Sequence, residues 1–225
     1  MPDRTIAPLI RGIENLNLPR PKTYKLDNGI PVFEVNMGTQ DILKLDMVFH
    51  AGRPYEQKQL ASRTTAALLK EGTQQYDSAT IAEKIDFYGG SFSIPVNLDT
   101  ANVVLYCLSK HARQLIPLVA DIVSDPVFNE KELQAFVQRN QQRLLVDLSR
   151  NDIVAYRQLT ELIFGESHPY GYNSSPEIYR QLTRPDLITH FENNFHSGKV
   201  QLFVSGKFDD EVRQLLNDEL GQKIP

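Results

Sequence analysis

The 225-residue chain contains one cysteine, Cys107, which excludes a disulfide framework within the chain. No stretch approaches the roughly 18 consecutive apolar residues of a membrane-spanning helix. The opening MPDRTIAPLIRG lacks the apolar centre of an export signal, so a cytoplasmic location is expected. An excess of positive charge is also missing. With 24 basic against 28 acidic residues and a net charge of -4, general nucleic-acid binding is not expected. There is no G-x-S-x-G nucleophile elbow, and Gly89-Gly90 lacks the third glycine and the lysine of a phosphate loop. Cys107 lies in the strand-like run ANVVLYCLS, where burial would leave the thiol inert. The five histidines, His50, His111, His168, His190 and His196, are scattered singly. Zinc needs three or four convergent ligands, so they read as surface or hydrogen-bonded groups. His168 precedes Pro169 and is expected in an extended loop that it helps to fix.

What is present is a chain that is 41% hydrophobic and 23% charged, the balance of a folded domain with a sizeable core. Residues 24–36, YKLDNGIPVFEVN, read as two alternating runs around Leu26-Asp27-Asn28-Gly29, where Asn28-Gly29 suits a tight turn needing positive φ. A second alternating run, residues 42–50, ends at Ala51-Gly52. Residues 60–73, LASRTTAALLKEGT, have the spacing of an amphipathic helix, with Gly72 placed to cap it in the left-handed conformation. A helix from about Ser78, then Gly89-Gly90 and the strand-like SFSIPVNL, follow. Apolar spacings predict further helices over residues 111–124, 130–150, 152–164 and 185–194, and a late strand over residues 200–204. Phe136, Val137, Leu144, Leu145 and Leu148 form a stripe on the longest helix and are expected to face the core. Strands in runs and helices in runs predict an α+β fold, with helices packed on one face of a mostly antiparallel mixed β-sheet. Residues 1–23 are expected to form an arm and residues 24–220 a single domain.

Five segments together resemble the pitrilysin/insulinase family of zinc peptidases (peptidase family M16), which includes mitochondrial processing peptidase. They are L-x-N-G-x-x-V, the strand ending in Ala51-Gly52, the helix ending in Glu71-Gly72-Thr73, the helix, glycine pair and strand at residues 85–98, and His168-Pro169-Tyr170-Gly171 followed later by VQLFVSG. The resemblance runs from Tyr24 to Gly206 and implies a LuxS/MPP-like metallohydrolase-type domain. In the family two such domains sit in tandem and paired subunits or halves enclose a peptide chamber. Residues 221–225 are therefore expected to open a linker to a second domain.

Active members carry H-x-x-E-H on the helix corresponding to residues 60–70. One turn brings both histidines to one face, and the glutamate beside the metal acts as general base. Aligned on Glu71-Gly72-Thr73, those positions hold Arg63, Ala66 and Ala67. Alanine has no lone pair to offer, and a permanently protonated arginine repels a dication. The family's third ligand, a glutamate, should fall near Gln142 and Arg143, and no acid lies between Glu132 and Asp147. The resemblance thus implies a non-catalytic member, processing-peptidase alpha-like, with no metal of its own and zinc only in a partner subunit. Its partners would be a zinc-bearing M16 subunit or its own second domain, and an unstructured peptide.

The family's peptide-pairing edge strand corresponds to Ser91, Phe92, Ser93 and Ile94, which would accept an extended substrate by β-augmentation. Pro95 removes one ladder donor and could equally guard that edge against aggregation. Arg139, Arg143 and Arg150 recur near one face of the long helix. They read either as a solvated face or, at Arg143, as a chamber wall attracting acidic residues. Two other readings stay open: an active zinc metalloendopeptidase with an unrecognised site, and a purely structural subunit of a larger complex.

Overall fold

The computed structural model describes Gly12 and residues 18–225; most of the expected arm, residues 1–23, lies outside the described residues. Among the described residues six strands form one sheet: β1 Lys22–Lys25, β2 Pro31–Asn36, β3 Ile42–Phe49, β4 Ser91–Ser93, β5 Ala101–Leu108 and β6 Val200–Gly206. Their order is β1-β2-β6-β3-β5-β4. Only the β2–β6 pair is parallel; the other neighbours run antiparallel. The parallel pair is the one whose connection is long enough to carry a helical layer, as parallel strands require. Eight α-helices are present among the described residues: α1 Ala61–Leu68, α2 Ser78–Phe87, α3 Ala112–Ser124, α4 Glu130–Asp147, α5 Asn151–Phe164, α6 Pro176–Arg180, α7 Arg184–Asn194 and α8 Asp210–Lys223. None is long and apolar enough to cross a membrane. The architecture is the α+β layer that the sequence predicts.

Period-two patterning decides which sheet face is covered. Leu43, Leu45, Met47 and Phe49 of β3, with Ala101, Val103, Leu105 and Cys107 of β5, are buried, while Lys44, Asp46, Tyr106 and Leu108 look the other way. Leu115, Ile116, Val119, Ile122 and Val123 of α3 close over the buried row. Phe49 meets Phe195 with ring centroids 4.7 Å apart, and burying one such ring contributes about 1.5–3 kcal/mol. Cys107 is in this core, and burial pushes its thiol up to about 11, as expected for an inert residue.

Several local expectations need correction. In the turn after β1 only Gly29 adopts positive φ, at 85°. Asn28 instead donates its side-chain amide to the carbonyls of Leu220 and Ile224, tying the hairpin to the end of α8. The helix expected over residues 60–73 stops at Leu68 and tightens into a 3-10 turn over Leu69–Glu71. Gly72, at φ 149° and ψ 148°, is not a left-handed cap; its carbonyl accepts from the Val127 amide, and the chain leaves the helix extended. On α4, Phe136 and Leu144 are buried, but Leu145 and Leu148 are exposed, so that stripe is only partly a core face. Residues 221–223, which the sequence assigned to a linker, lie in α8, and Ile224 is buried.

Candidate functional site

The start of α1 is fixed by a network that crosses the molecule. Leu60 takes a left-handed conformation, φ 69°, which is costly for a branched residue and persists only where the surroundings hold it. Its amide donates to the Tyr172 hydroxyl at 3.3 Å. That hydroxyl donates to Glu56 Oε2 at 2.8 Å, and Glu56 Oε1 accepts from the Ser62 amide at 3.0 Å. Burial, with the Glu56 charge second, pushes the Tyr172 phenol well above its ordinary value, so it remains a donor. Arg53 lies over the Tyr172 ring, 4.3 Å from its centroid, and donates to the carbonyls of Pro169 and Tyr172. The loop carrying His168-Pro169-Tyr170-Gly171 is thereby clamped to the helix start. His168 has the expected loop-fixing role: its Nδ1 accepts from the Tyr170 amide at 3.1 Å, and its ring stacks on Phe164.

With α1 positioned, Arg63 is exposed, Ala66 buried and Ala67 half-buried, and these residues form one wall of a groove whose other wall is α4. The groove has a volume of about 810 Å3, and Arg143 lines it together with Arg63, Ala66 and Ala67. Arg63, Ala66, Ala67 and Arg143, the four positions that the resemblance picks out, therefore line one groove; Gln142 does not reach the lining. An adjoining cleft of about 510 Å3 shares Arg53, Arg63, Leu98, Asn140 and Arg143 with the groove and extends to α5 through Tyr156 and Arg157. Arg139 also lines the groove, but Arg150 lies beyond α4 and pairs with Asp152, so the three arginines of the predicted face divide.

The lining does not fit a zinc ion. Ala66 and Ala67 supply no donor, the facing Arg63 and Arg143 are cations, and the acids of the two cavities are Glu71 and Asp147. Asp147 sits 3.9 Å from Arg143. Among the described residues no three His, Cys, Asp or Glu side chains come together as a metal site. His190 is buried and hydrogen-bonds the Ala51 carbonyl through Nε2 at 3.0 Å; desolvation lowers its pKa, which marks a structural histidine.

The residues of the predicted peptide strand lie along one sheet edge but border two different cavities. Ile94 lines the groove, whereas Ser91 and Phe92 border a different cavity against α2. The strand itself is shorter than expected, Ser91–Ser93, although pairing keeps its register through the Val96–Ala101 bridge. It is an edge of the sheet. Asn102 donates to the Pro95 carbonyl at 2.9 Å, and Asn97 to Thr100 at 2.8 Å. In an antiparallel ladder such hydrogen-bonded pairs alternate, so Ser91 and Ser93 direct their amides at β5, while Phe92 and Ile94 direct theirs outward. The donor that Pro95 lacks belongs to the β5 side. It takes nothing from the free edge.

Arg53, Lys70, Arg157 and Tyr172 were not singled out from the sequence. Arg53 follows Ala51-Gly52 directly, and Tyr172 follows His168-Pro169-Tyr170-Gly171 directly, so adjacency to those segments was the available signal. Their meeting across 119 positions was not visible in the sequence.

Residues 33–164 match the family model described as Insulinase (Peptidase family M16). An uncharacterized zinc protease of Rickettsia felis is 22% identical over 202 residues, 88% of this chain and 48% of that protein. The mitochondrial-processing peptidase subunit beta of Neurospora crassa is 24% identical over 126 residues, 52% of this chain and 26% of that one. Among solved structures, the peptidase M16 inactive domain from Pseudomonas fluorescens has a TM-score of 0.86 at 20% identity, covering 92% of this chain and 51% of that one. A periplasmic protease from Escherichia coli has a TM-score of 0.77 at 14% identity, covering 92% of this chain and 24% of its own. Fold and family match together define an α+β domain of the M16 type, with Arg63, Ala66, Ala67 and Arg143 lining one groove. The chain belongs to the insulinase family, peptidase family M16, and it spans about half the length of the Rickettsia relative.

Proposed function

We propose that this chain is a non-catalytic M16 peptidase-like domain that pairs with a zinc-bearing subunit, or with a second domain of its own, to close a chamber holding peptides for proteolysis. The zinc of that assembly would belong to the partner. The observation that carries the reading is the groove between α1 and α4. It is lined by Arg63, Ala66, Ala67 and Arg143, the positions at which the family resemblance would put a metal site, and is bordered at Ile94 by a sheet edge with outward amide and carbonyl groups. Such an edge can accept an extended peptide as an added strand, the main chain supplying affinity. Support also comes from the name of the Pseudomonas fluorescens relative, an M16 inactive domain, and from the likeness to a subunit of mitochondrial-processing peptidase.

Hydrogen exchange read residue by residue, with and without an unstructured peptide, tests this role. The amides of Phe92 and Ile94 gain protection when peptide is present, while those of Ser91 and Ser93, already turned toward β5, do not change. Peptide added in large excess with no change at Phe92 and Ile94 would contradict the peptide-holding role and favour a purely structural one.

A further inference from the structure

The chain as a whole carries a net charge of -4, yet the groove and its adjoining cleft are strongly cationic. Six basic side chains, Arg53, Arg63, Lys70, Arg139, Arg143 and Arg157, line them against two acids, Glu71 and Asp147. Little of this charge is neutralised within the fold. Arg53 is spent on the carbonyls of Pro169 and Tyr172, and Arg157 on the carbonyl and hydroxyl of Ser174. These neutral acceptors fix the guanidinium groups without cancelling their charge. Arg143 approaches Asp147 no closer than 3.9 Å, with its side chain 75% exposed. Arg63, Lys70 and Arg139 make no ion pair among the described residues. A concave wall of one sign focuses the field and raises the local concentration of the opposite charge.

We infer that this groove selects acidic peptide segments: an extended chain paired along Phe92 and Ile94 carries aspartate or glutamate side chains toward Arg63, Arg139 and Arg143. The inference rests on the peptide-holding reading above and adds to it the class of peptide held. Two observations favour a peptide over a nucleic acid. The basic residues adjoin a free strand edge, whose amides and carbonyls match another main chain, and the molecule outside the groove is acidic enough to repel a long phosphate backbone. Arg139 and Arg143 stand one helical turn apart on α4 and therefore share a face, and Arg63 faces the groove from α1. Guanidinium groups so placed can each take a carboxylate through paired hydrogen bonds.

Fluorescence anisotropy with three labelled, unstructured peptides of equal length, rich in Glu and Ser, in Gly and Ser, or in Lys and Ser, tests this directly. A single-stranded oligonucleotide of matching length is the fourth probe. At low salt the acidic peptide is expected to bind at least about tenfold more tightly than the neutral one, an advantage that disappears near 1 M salt, where screening acts within about 3 Å. The double variant R63E/R143E should lose the preference, and R63Q/R143Q should fall between. Both positions are exposed, so the variants should unfold at the same temperature as the parent. Neutral and basic peptides binding as tightly as the acidic one would overturn this inference and leave the peptide-holding reading standing. Failure of all three peptides to bind would overturn both, and tighter binding of the oligonucleotide than of the acidic peptide would overturn the choice of ligand.

Discussion

Glu34 lies in β2 on the covered face of the sheet, only 3% exposed, and both of its oxygens are held by Arg213 of α8. Nε reaches Oε2 at 2.8 Å and Nη2 reaches Oε1 at 2.7 Å. That hydrogen-bonded guanidinium holds the Glu34 carboxyl below the usual carboxylate range, while burial and the Glu34 charge push the nearby Tyr24 phenol up to about 12. A buried carboxylate stripped of its cation is costly, so Arg213→Met is expected to lower stability by about 2–4 kcal/mol near neutral pH, read by urea unfolding. Because folding depresses the Glu34 pKa, its stabilisation is complete above the ordinary carboxylate value and is lost as pH falls below it. The gap between parent and variant should therefore narrow in acid. A difference that is small and unchanged with pH would contradict this role. The sequence marks Glu34 only as one position in an alternating strand. Its partner stands 179 residues away, beyond the reach of any periodicity.

At the scale of elements, the loop after α5 and the start of α1 form one unit. The Tyr172 hydroxyl joins the Leu60 amide to the Glu56 carboxylate, and removing it leaves both without that partner. Tyr172→Phe should cost about 1–3 kcal/mol and loosen the first turn of α1, seen as faster hydrogen exchange at Leu60 and Ser62. Unchanged exchange there would show that the turn is held otherwise. Gly52 and Gly171 mark the same region. A Cβ on Gly52 would strike the Leu98 carbonyl, and one on Gly171 the Gly165 carbonyl, so both tolerate only a bare backbone. These glycines were legible because their segments are short and contiguous, whereas what each segment presses against was not. Long helices with regular spacing were also legible, including α3, α5 and α7. By contrast α8 went unread, although Asp209 caps it and Val212, Leu216 and Leu220 recur every four residues; that signal was present. The exposure of Leu145 and Leu148 on α4 is the opposite case, since apolar spacing does not tell a core from a surface awaiting a partner.

Across the whole molecule, the groove between α1 and α4 joins features that the sequence holds far apart. Arg63, Ala66 and Ala67 of α1, Arg143 on α4 and Ile94 at the sheet edge meet there, and the α1 positions were readable because the pattern that picks them out is local. The cationic character was not, since four of its six basic residues come from α1, α5 and the loops before and after α1. Exposed Tyr156, Leu159, Leu162 and Ile163 on α5 form an apolar flank beside the cleft, the kind of surface that the proposed assembly would cover. The role proposed for this chain requires that these residues hold no catalytic metal. Purified protein equilibrated with zinc and passed through a desalting column, then assayed for bound metal and for peptide hydrolysis with and without a chelator, tests it most directly. Far less than one zinc per chain and no chelator-sensitive hydrolysis by this chain alone are expected; one tightly held zinc per chain together with such hydrolysis would overturn the proposed role.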